Sequence, residues 1–264
     1  MMSGGGDRIH DQVSAIRELS PDIIAFQEVT ALTLSKYIEE LSKIGFTHFI
    51  DSFQFVKYSS RLKGPRRYGE LVASRWPIME FPGFLKVPWQ EKVLSCLIES
   101  PEGTIELHTA HVPNGSTNDW IKIRTLEGIY KGLACQSHNH RILCGDFNTP
   151  QKELPDGKII TWGQYEKANG DYALCKYWGK RWDKGERNVL EGLAQFDLAD
   201  VYRKLNGYVT RDFSWYTKRR GKRIGRRFDH VFASSSLKVK ECRYLHELRR
   251  KGLSDHSPIE VTFQ

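Results

Sequence analysis

The stretch RILCGDFN, residues 141–148, is predicted to contain a strand whose end carries two polar side chains, Asp146 and Asn148. Its apolar residues up to Cys144 are typical of a buried strand, and Gly145 allows a tight backbone turn. Asp146 and Asn148 lie two residues apart, which places them on one face of the strand exit. Together a carboxylate and an amide can orient a water and hold an anionic oxygen. The alternative is an Asx turn, in which both side chains bond only the local backbone.

The composition indicates a globular, basic protein. A length of 264 residues suits one large domain or two small ones with a buried core. Hydrophobic residues at 39% and aromatic residues at 12% exclude a disordered chain. The net charge of +8 and the sequence pI of about 9.2 favour polyanionic partners: nucleic acid, phosphorylated small molecules or acidic lipid headgroups.

The cysteines and the apolar runs indicate the cellular location of the protein. Five scattered cysteines without a Cys-x-x-Cys pair indicate reduced thiols rather than a disulfide or zinc framework. The sequence has no apolar run of membrane-spanning length and no apolar signal core at its start. We therefore expect a monomeric cytoplasmic protein without a membrane span.

Alternating helical and strand patterns predict a layered α/β fold. Residues 7–19 have helical spacing with Asp7 as candidate N-cap, and Pro21 ends that helix. A buried strand at 22–26 then leads to Gln27 and Glu28. Further helices are predicted at 31–44, 120–135 and 188–198, and further strands at 46–51, 69–74, 94–99, 105–111, 213–216, 228–233, 238–245 and 259–263.

Polar clusters follow five predicted strand ends, and their order resembles a known superfamily. The blocks are PDIIAFQEV, YGELVASRWPI, HTAHVPNG, LCGDFNTP, RRFDHVFAS and LSDHSPIEVTF. In this order they resemble the endonuclease/exonuclease/phosphatase superfamily, which includes exonuclease III-like abasic-site endonucleases, deoxyribonuclease I, sphingomyelinases and inositol polyphosphate phosphatases. They cover nearly all of a single domain at 1–264. The exception is residues 151–193, an aromatic segment predicted to be an ordered insertion.

The resemblance implies a fold and a metal site. The fold is a four-layer α/β sandwich, with two central mixed β-sheets flanked by helices. The activity is phosphoester hydrolysis with magnesium or manganese. Glu28 matches the metal-binding Glu of the family, and Asp255 matches a carboxylate close to the metal. His111 occupies a position filled by Tyr or His in different branches, and Asn114 matches a further phosphate contact.

The resemblance also implies catalytic roles for four residues. Asp146 matches the Asp that orients the attacking water, and Asn148 matches the Asn that contacts the phosphoryl group. His256 matches the family His taken to stabilise the transition state or handle a proton, and Asp229 matches the Asp that orients it. A carboxylate beside an imidazole favours the protonated ring, which suits an anionic transition state.

The start of the chain departs from the family pattern. Members begin with a strand ending in Trp-Asn, whose Asn helps to build the metal site, followed by a polar or glycine-rich loop. This chain opens with Met-Met-Ser-Gly-Gly-Gly, which resembles that loop alone. We therefore expect Met1 to be an internal start, preceded by about ten further residues. Without them, the sheet would lack a strand and the site a ligand.

The basic run at 218–227 guides the choice of substrate. We expect it to be a loop beside the site, in which Arg223, Arg226 and Arg227 contact successive phosphates. Trp215 can stack on a base, or it can belong to the core. DNA or RNA is therefore the leading substrate. The alternatives are a phosphatase or phosphodiesterase acting on inositol phosphates or lipid headgroups, and a catalytically weakened nucleic-acid-binding protein.

Overall fold

The computed structural model describes residues 8–81 and 83–264, so Asp7 and the glycine-rich opening lie outside the described residues. The helices are α1 Ile9–Leu19, α2 Ala31–Ser42, α3 Gly115–Asn118, α4 Trp120–Leu133, α5 Gly179–Leu190, α6 Val201–Asn206 and α7 His246–Arg250. The strands are β1 Ile23–Thr30, β2 His48–Asp51, β3 Tyr68–Ser74, β4 Ile78–Glu80, β5 Val93–Ser100, β6 Gly103–His111, β7 His140–Asp146, β8 Lys152–Glu153, β9 Ile159–Ile160, β10 Gln164–Glu166, β11 Tyr172–Leu174, β12 Ala199–Asp200, β13 Trp215–Arg219, β14 Lys222–Arg226, β15 Asp229–Ala233, β16 Val239–Tyr244 and β17 Ile259–Phe263. Within these ranges, no helix is both long enough and apolar enough to cross a bilayer.

Two β layers form the centre of the molecule, and the predicted α/β sandwich is confirmed. One layer is a six-stranded sheet in the order β12-β15-β7-β6-β5-β4. It is mixed, because β6 and β7 are parallel whereas the other neighbours are antiparallel. The second layer contains the antiparallel sheet β1-β3-β2 and the antiparallel pair β16-β17.

Three apolar cores separate four layers. The first lies between α1 and α2 and the β1-β3-β2 sheet, the second between the two β layers, and the third between the six-stranded sheet and α4 and α5. Successive side chains of a strand point to opposite faces of the sheet, so one sheet contributes side chains to two cores. In β3, Leu71 and Ala73 join the first core while Val72 joins the second. In β7, Leu143 joins the third core and Ile142 the second.

A groove separates β1 from β17. Each of these strands is paired along one edge only, by β3 and β16 respectively, and none of the described strands pairs with the other edge. The groove has a volume of about 280 Å³ and is lined largely by apolar side chains of α1, β1, α7 and β17.

Residues 151–193 are ordered, but the helix predicted at 188–198 is wrong in its bounds. The helix α5 ends at Leu190, and a short 3-10 helix at Gly192–Phe196 follows. Trp182, Glu186 and Val189 form the buried face of α5, so a Trp in the aromatic segment supplies part of the packing surface. That residues 151–193 are an insertion relative to the family remains a prediction.

The basic run forms a hairpin rather than the predicted loop. Strands β13 and β14 pair from Trp215 with Arg226 to Arg219 with Lys222. Arg220 and Gly221 form the two-residue turn with φ of 48° and 74°, the positive values that tight hairpins need. We call residues 215–226 the basic hairpin.

Candidate active site

Strand register places three functional side chains side by side. Asp146 ends β7, and its partner in β15 is Asp229. On the other side, the partner of Asp146 in β6 is His111. Gly145 is required at the preceding position, because its φ is +130° and a Cβ would overlap the carbonyl oxygen of Ala110.

Glu28 reaches the same place from the other β layer. The pairing of β1 with β3 shifts register between Phe26 and Val29, and Glu28 has a φ of 61°. Such a bulge redirects a side chain. Glu28 Oε1 lies 3.6 Å from His111 Nε2, and the buried Oε2 has no hydrogen-bond partner among the described residues.

His256 faces this row and is held by Asp229. The Nδ1 atom of His256 lies 2.7 Å from Asp229 Oδ2. Burial alone would lower the pKa of His256, but attraction to Asp229 and the hydrogen bond between them outweigh it and raise the pKa. We call Glu28, His111, Asp146, Asp229 and His256 the strand-end cluster.

Asp146 is the electrostatic centre of the strand-end cluster. Burial, with repulsion from Asp229 and Glu28, raises the pKa of Asp146 to about 7, although attraction to His256 opposes the rise. A divalent cation would relieve this repulsion, and carboxylate oxygens are the ligands that magnesium prefers. The unpartnered oxygen of Glu28 and the raised pKa of Asp146 therefore fit a metal site.

The side chains whose possible metal-ligand atoms lie close to one another are not the same set as Glu28 and Asp146. Among the described His, Cys, Asp and Glu side chains, Asp146, Asp229 and His256 place such atoms within 4.8 Å of one another. The Asp229–His256 hydrogen bond uses one atom of each of these residues, and Glu28 and Asp146 are the carboxylates of the cluster that could hold a metal ion. Asp255 is exposed and is not in this set.

Asp146 forms the Asx turn that the sequence left open, with Asn148 as its backbone donor. The backbone N–H of Asn148 donates to Asp146 Oδ1 at 2.8 Å, and the φ of Asn148 is 52°. Its side-chain amide donates to the carbonyl of Val112 at 2.9 Å. The turn also fixes the Asp146 carboxylate, so the structural and functional interpretations of this segment are compatible.

The Asn114 side chain forms hydrogen bonds with a neighbouring residue, Ser116. Its Oδ1 accepts from the backbone N–H and the hydroxyl of Ser116, each at 2.8 Å, and caps α3. Its role as a phosphate contact stays a prediction.

Trp215 is half-buried, stacked on Phe228 at 5.4 Å, and its ring lies 6.3 Å from that of His256.

Arg227 is buried, so the prediction that it contacts phosphate is wrong. Only 3% of Arg227 is exposed, and its guanidinium donates to Glu153 at 2.9 and 2.7 Å and to Asp200 at 2.7 Å. The two carboxylates therefore already compensate its charge. Arg226 is half-buried over the Trp162 ring, whereas Arg223 is exposed beside Tyr216.

We expect Arg227→Met to destabilise the fold by about 3–5 kcal/mol, because it leaves two carboxylates buried without their main cation. The measurement is the free energy of unfolding in urea. Arg223→Met, an exposed change of the same kind, should stay within about 0.5 kcal/mol of wild type. A loss below about 1 kcal/mol in Arg227→Met would contradict this structural role.

The same network predicts the pH dependence of stability. Burial opposes ionisation of Glu153, but Arg227 and Arg203 outweigh it and lower its pKa from 4.5 to about 2. The resulting stabilisation is present above pH 4.5 and is lost as the pH falls towards 2. Glu153→Gln should flatten this part of the stability profile.

A buried layer behind the strand-end cluster was not predicted from the sequence. Lys92 Nζ lies 3.4 Å from His111 Nδ1. Thr109 donates to Glu70 Oε2 at 3.2 Å and accepts from Gln27 at 2.9 Å. One signal was available: Glu70 is a charged residue inside an otherwise apolar strand.

Comparison with known proteins supports this architecture. An AP endonuclease from Archaeoglobus fulgidus superposes with a TM-score of 0.67 at 21% identity, over 97% of this chain and 94% of that chain. TDP2 from D. rerio, complexed with a single-strand DNA product, superposes with a TM-score of 0.63 at 14% identity, over 98% of this chain and 92% of that chain. Similarity at this identity shows a shared fold. The sequence matches the Endonuclease/Exonuclease/phosphatase family over residues 4–256. The chain therefore belongs to the endonuclease/exonuclease/phosphatase family of phosphoric ester hydrolases.

Proposed function

We propose that the protein is a magnesium- or manganese-dependent phosphodiesterase that cleaves DNA or RNA. The observation that carries the proposal is the buried Asp146 carboxylate facing the hydrogen-bonded Asp229–His256 pair. An acceptor for a water proton beside a histidine whose pKa is raised supports attack of water on an anionic phosphoester. Groups of both kinds accelerate attack on a phosphorus atom.

The chain's own groups perform separate parts of the reaction. Asp146 orients a water and accepts its proton as the water oxygen attacks phosphorus and the bond to the leaving oxygen breaks, and the leaving oxygen takes a proton from solvent. His256, held by Asp229 at 2.7 Å, donates a hydrogen bond to the charge that develops on the phosphoryl oxygens. Glu28 and Asp146, with Asp255 as a further candidate, would hold a divalent cation, which neutralises charge on the phosphate oxygens when bound.

The basic hairpin supports nucleic acid as the substrate. Its outer part exposes Lys218, Arg219, Arg220, Lys222 and Arg223. Its first residue, Trp215, lies beside His256, so the hairpin begins next to the strand-end cluster. Several cations on one element suit a polymer that carries successive phosphates. TDP2, which shares the fold, is complexed with single-strand DNA in its structure.

A substrate screen tests the proposal. Purified protein is incubated with abasic duplex DNA, single-stranded DNA, RNA and inositol phosphates, with and without magnesium. Cleavage of a nucleic acid, dependent on the metal, is the expected result. Hydrolysis of inositol phosphates alone would favour the small-molecule alternative. DNA binding without turnover would favour a weakened binding protein.

Salt dependence tests the role of the basic hairpin. Replacing Lys218, Arg219 and Arg223 with Gln should reduce the slope of log Kd against log salt by about 0.9 for each duplex phosphate that the variant no longer binds. Turnover at saturating DNA should change little, because these residues position the substrate. Lys131, Lys204 and Lys240 are exposed lysines outside the hairpin and give a matched control when changed to Gln. An unchanged slope in the hairpin variant would contradict the assignment.

A further inference from the structure

A buried lysine touches the hidden side of His111. Only 2% of Lys92 is exposed, and its Nζ lies 3.4 Å from His111 Nδ1. The contact follows from strand pairing, since Val93 is opposite Ala110 and the residues on either side are thereby brought together. The other ring nitrogen, Nε2, lies 3.6 Å from Glu28 Oε1 and 3.8 Å from Asp146 Oδ2.

The buried surroundings hold Lys92 in place. Burial lowers the pKa of Lys92, but attraction to Glu70 and then to Glu28 opposes the fall. Glu70 is itself fully buried, which raises its pKa well above the usual value, and Lys92 Nζ lies 5.5 Å from the centre of the Tyr68 ring. Burying a charge is costly unless opposite charges surround it. Lys92 is therefore held as a hydrogen-bond donor beside His111, because its Nζ contacts the ring Nδ1 at 3.4 Å.

Hydrogen-bond chemistry then determines the tautomer of His111. A lysine ammonium has three donors and no acceptor. The Nδ1 atom that faces it must therefore accept, and the ring proton must sit on Nε2. This N–H points towards the Glu28 and Asp146 carboxylates, where the phosphoester is expected to bind.

We propose that Lys92 is a positioning residue that fixes His111 as the Nε2–H tautomer, so that the ring donates a hydrogen bond to a non-bridging oxygen of the substrate phosphoester. His111 is then neither a metal ligand through Nε2 nor a general base. The proposal deepens the proposed phosphoesterase function and rests on it. The tautomer itself can be measured without substrate.

The first test is nuclear magnetic resonance of protein with ¹⁵N-labelled histidine rings. Long-range proton–nitrogen correlations should show His111 protonated at Nε2 and bare at Nδ1, with the signals assigned by their disappearance in His111→Gln. Lys92→Arg should keep this pattern, because a guanidinium also only donates. Lys92→Met should lose it. A wild-type His111 protonated at Nδ1 would overturn the proposal, whether or not the enzyme cleaves nucleic acid.

The second test is a double-mutant cycle on hydrolysis of a single-stranded oligonucleotide. Lys92→Met should lower kcat by about 10-fold or more with little change in KM. In a His111→Gln background, the same change should have little further effect, because Lys92 acts through His111. Lys92→Arg should retain more of kcat than Lys92→Met, because a guanidinium also only donates. Equal losses in both backgrounds would contradict the positioning role.

A further variant controls for loss of folding stability in the Lys92 variants. Lys92→Met leaves Glu70 buried without its nearby cation, so this variant alone can fail to fold. The double variant Lys92→Met with Glu70→Gln removes both charges and keeps the side-chain shapes similar. If it folds and keeps wild-type kcat, Lys92 does not position His111.

Discussion

Chelation of divalent cations is expected to abolish phosphoester hydrolysis, and added magnesium or manganese to restore it. The physical reason lies in the strand-end cluster. One oxygen of Glu28 is buried without a hydrogen-bond partner among the described residues, and burial with like charges raises the pKa of Asp146 to about 7. Oxygen ligands of this kind suit hard divalent cations. Full hydrolysis in excess chelator would refute the metal-dependent mechanism.

Substitution of Glu28 distinguishes metal binding from general damage. Glu28→Gln keeps the shape of the side chain and removes its charge, so it should mainly weaken metal affinity. Higher metal concentration should then restore part of the activity. Calorimetric titration with magnesium gives an independent measure of the reduced affinity. Glu127→Gln, a half-exposed change on α4, is the matched control and should leave both the titration and the activity unchanged.

Asp146→Asn and His256→Ala should each lower kcat by roughly 10² or more, with little change in substrate affinity. Asn is nearly the same shape as Asp but cannot supply the negative charge that orients and activates the water. Ala removes the donor that Asp229 holds at 2.7 Å. Single-turnover kinetics would separate the chemical step from binding.

The controls for these two variants are the exposed residues Asp171 and His138. Asp171→Asn and His138→Ala repeat the same chemical changes away from the cluster, and both should retain wild-type kcat. Near wild-type turnover in Asp146→Asn or His256→Ala would mean that the family role does not apply at that position.

Much of the strand-end cluster could be expected before the fold was known. Asp146, Asp229 and His111 each fall at a strand end that the apolar pattern predicts, and antiparallel or parallel pairing then brings them together. The strand predicted at 69–74 is likewise found, and its continuous apolar run of Leu71, Val72 and Ala73 is typical of a strand buried on both faces. These inferences succeed because strand periodicity and turn chemistry are local properties of the chain.

Local pattern was insufficient where the environment of a charge depends on distant residues. Arg227 lies in a basic run, yet its partner Glu153 is 74 positions away in the sequence, and pairing buries both. The basic run itself became a hairpin, because Arg220 and Gly221 adopt positive φ and let two strands pair.

By itself, the sequence determined the order of the main elements, the family and the residues at the strand ends, since short-range periodicity and motif order encode them. The tertiary structure alone decided three further features: the burial of Arg227, the bulge that turns Glu28 towards His111, and the contact of Lys92 with His111. The reason is physical. The state of a buried ionisable group depends on the charges and hydrogen bonds that surround it in space, and folding brings those partners from separate parts of the chain.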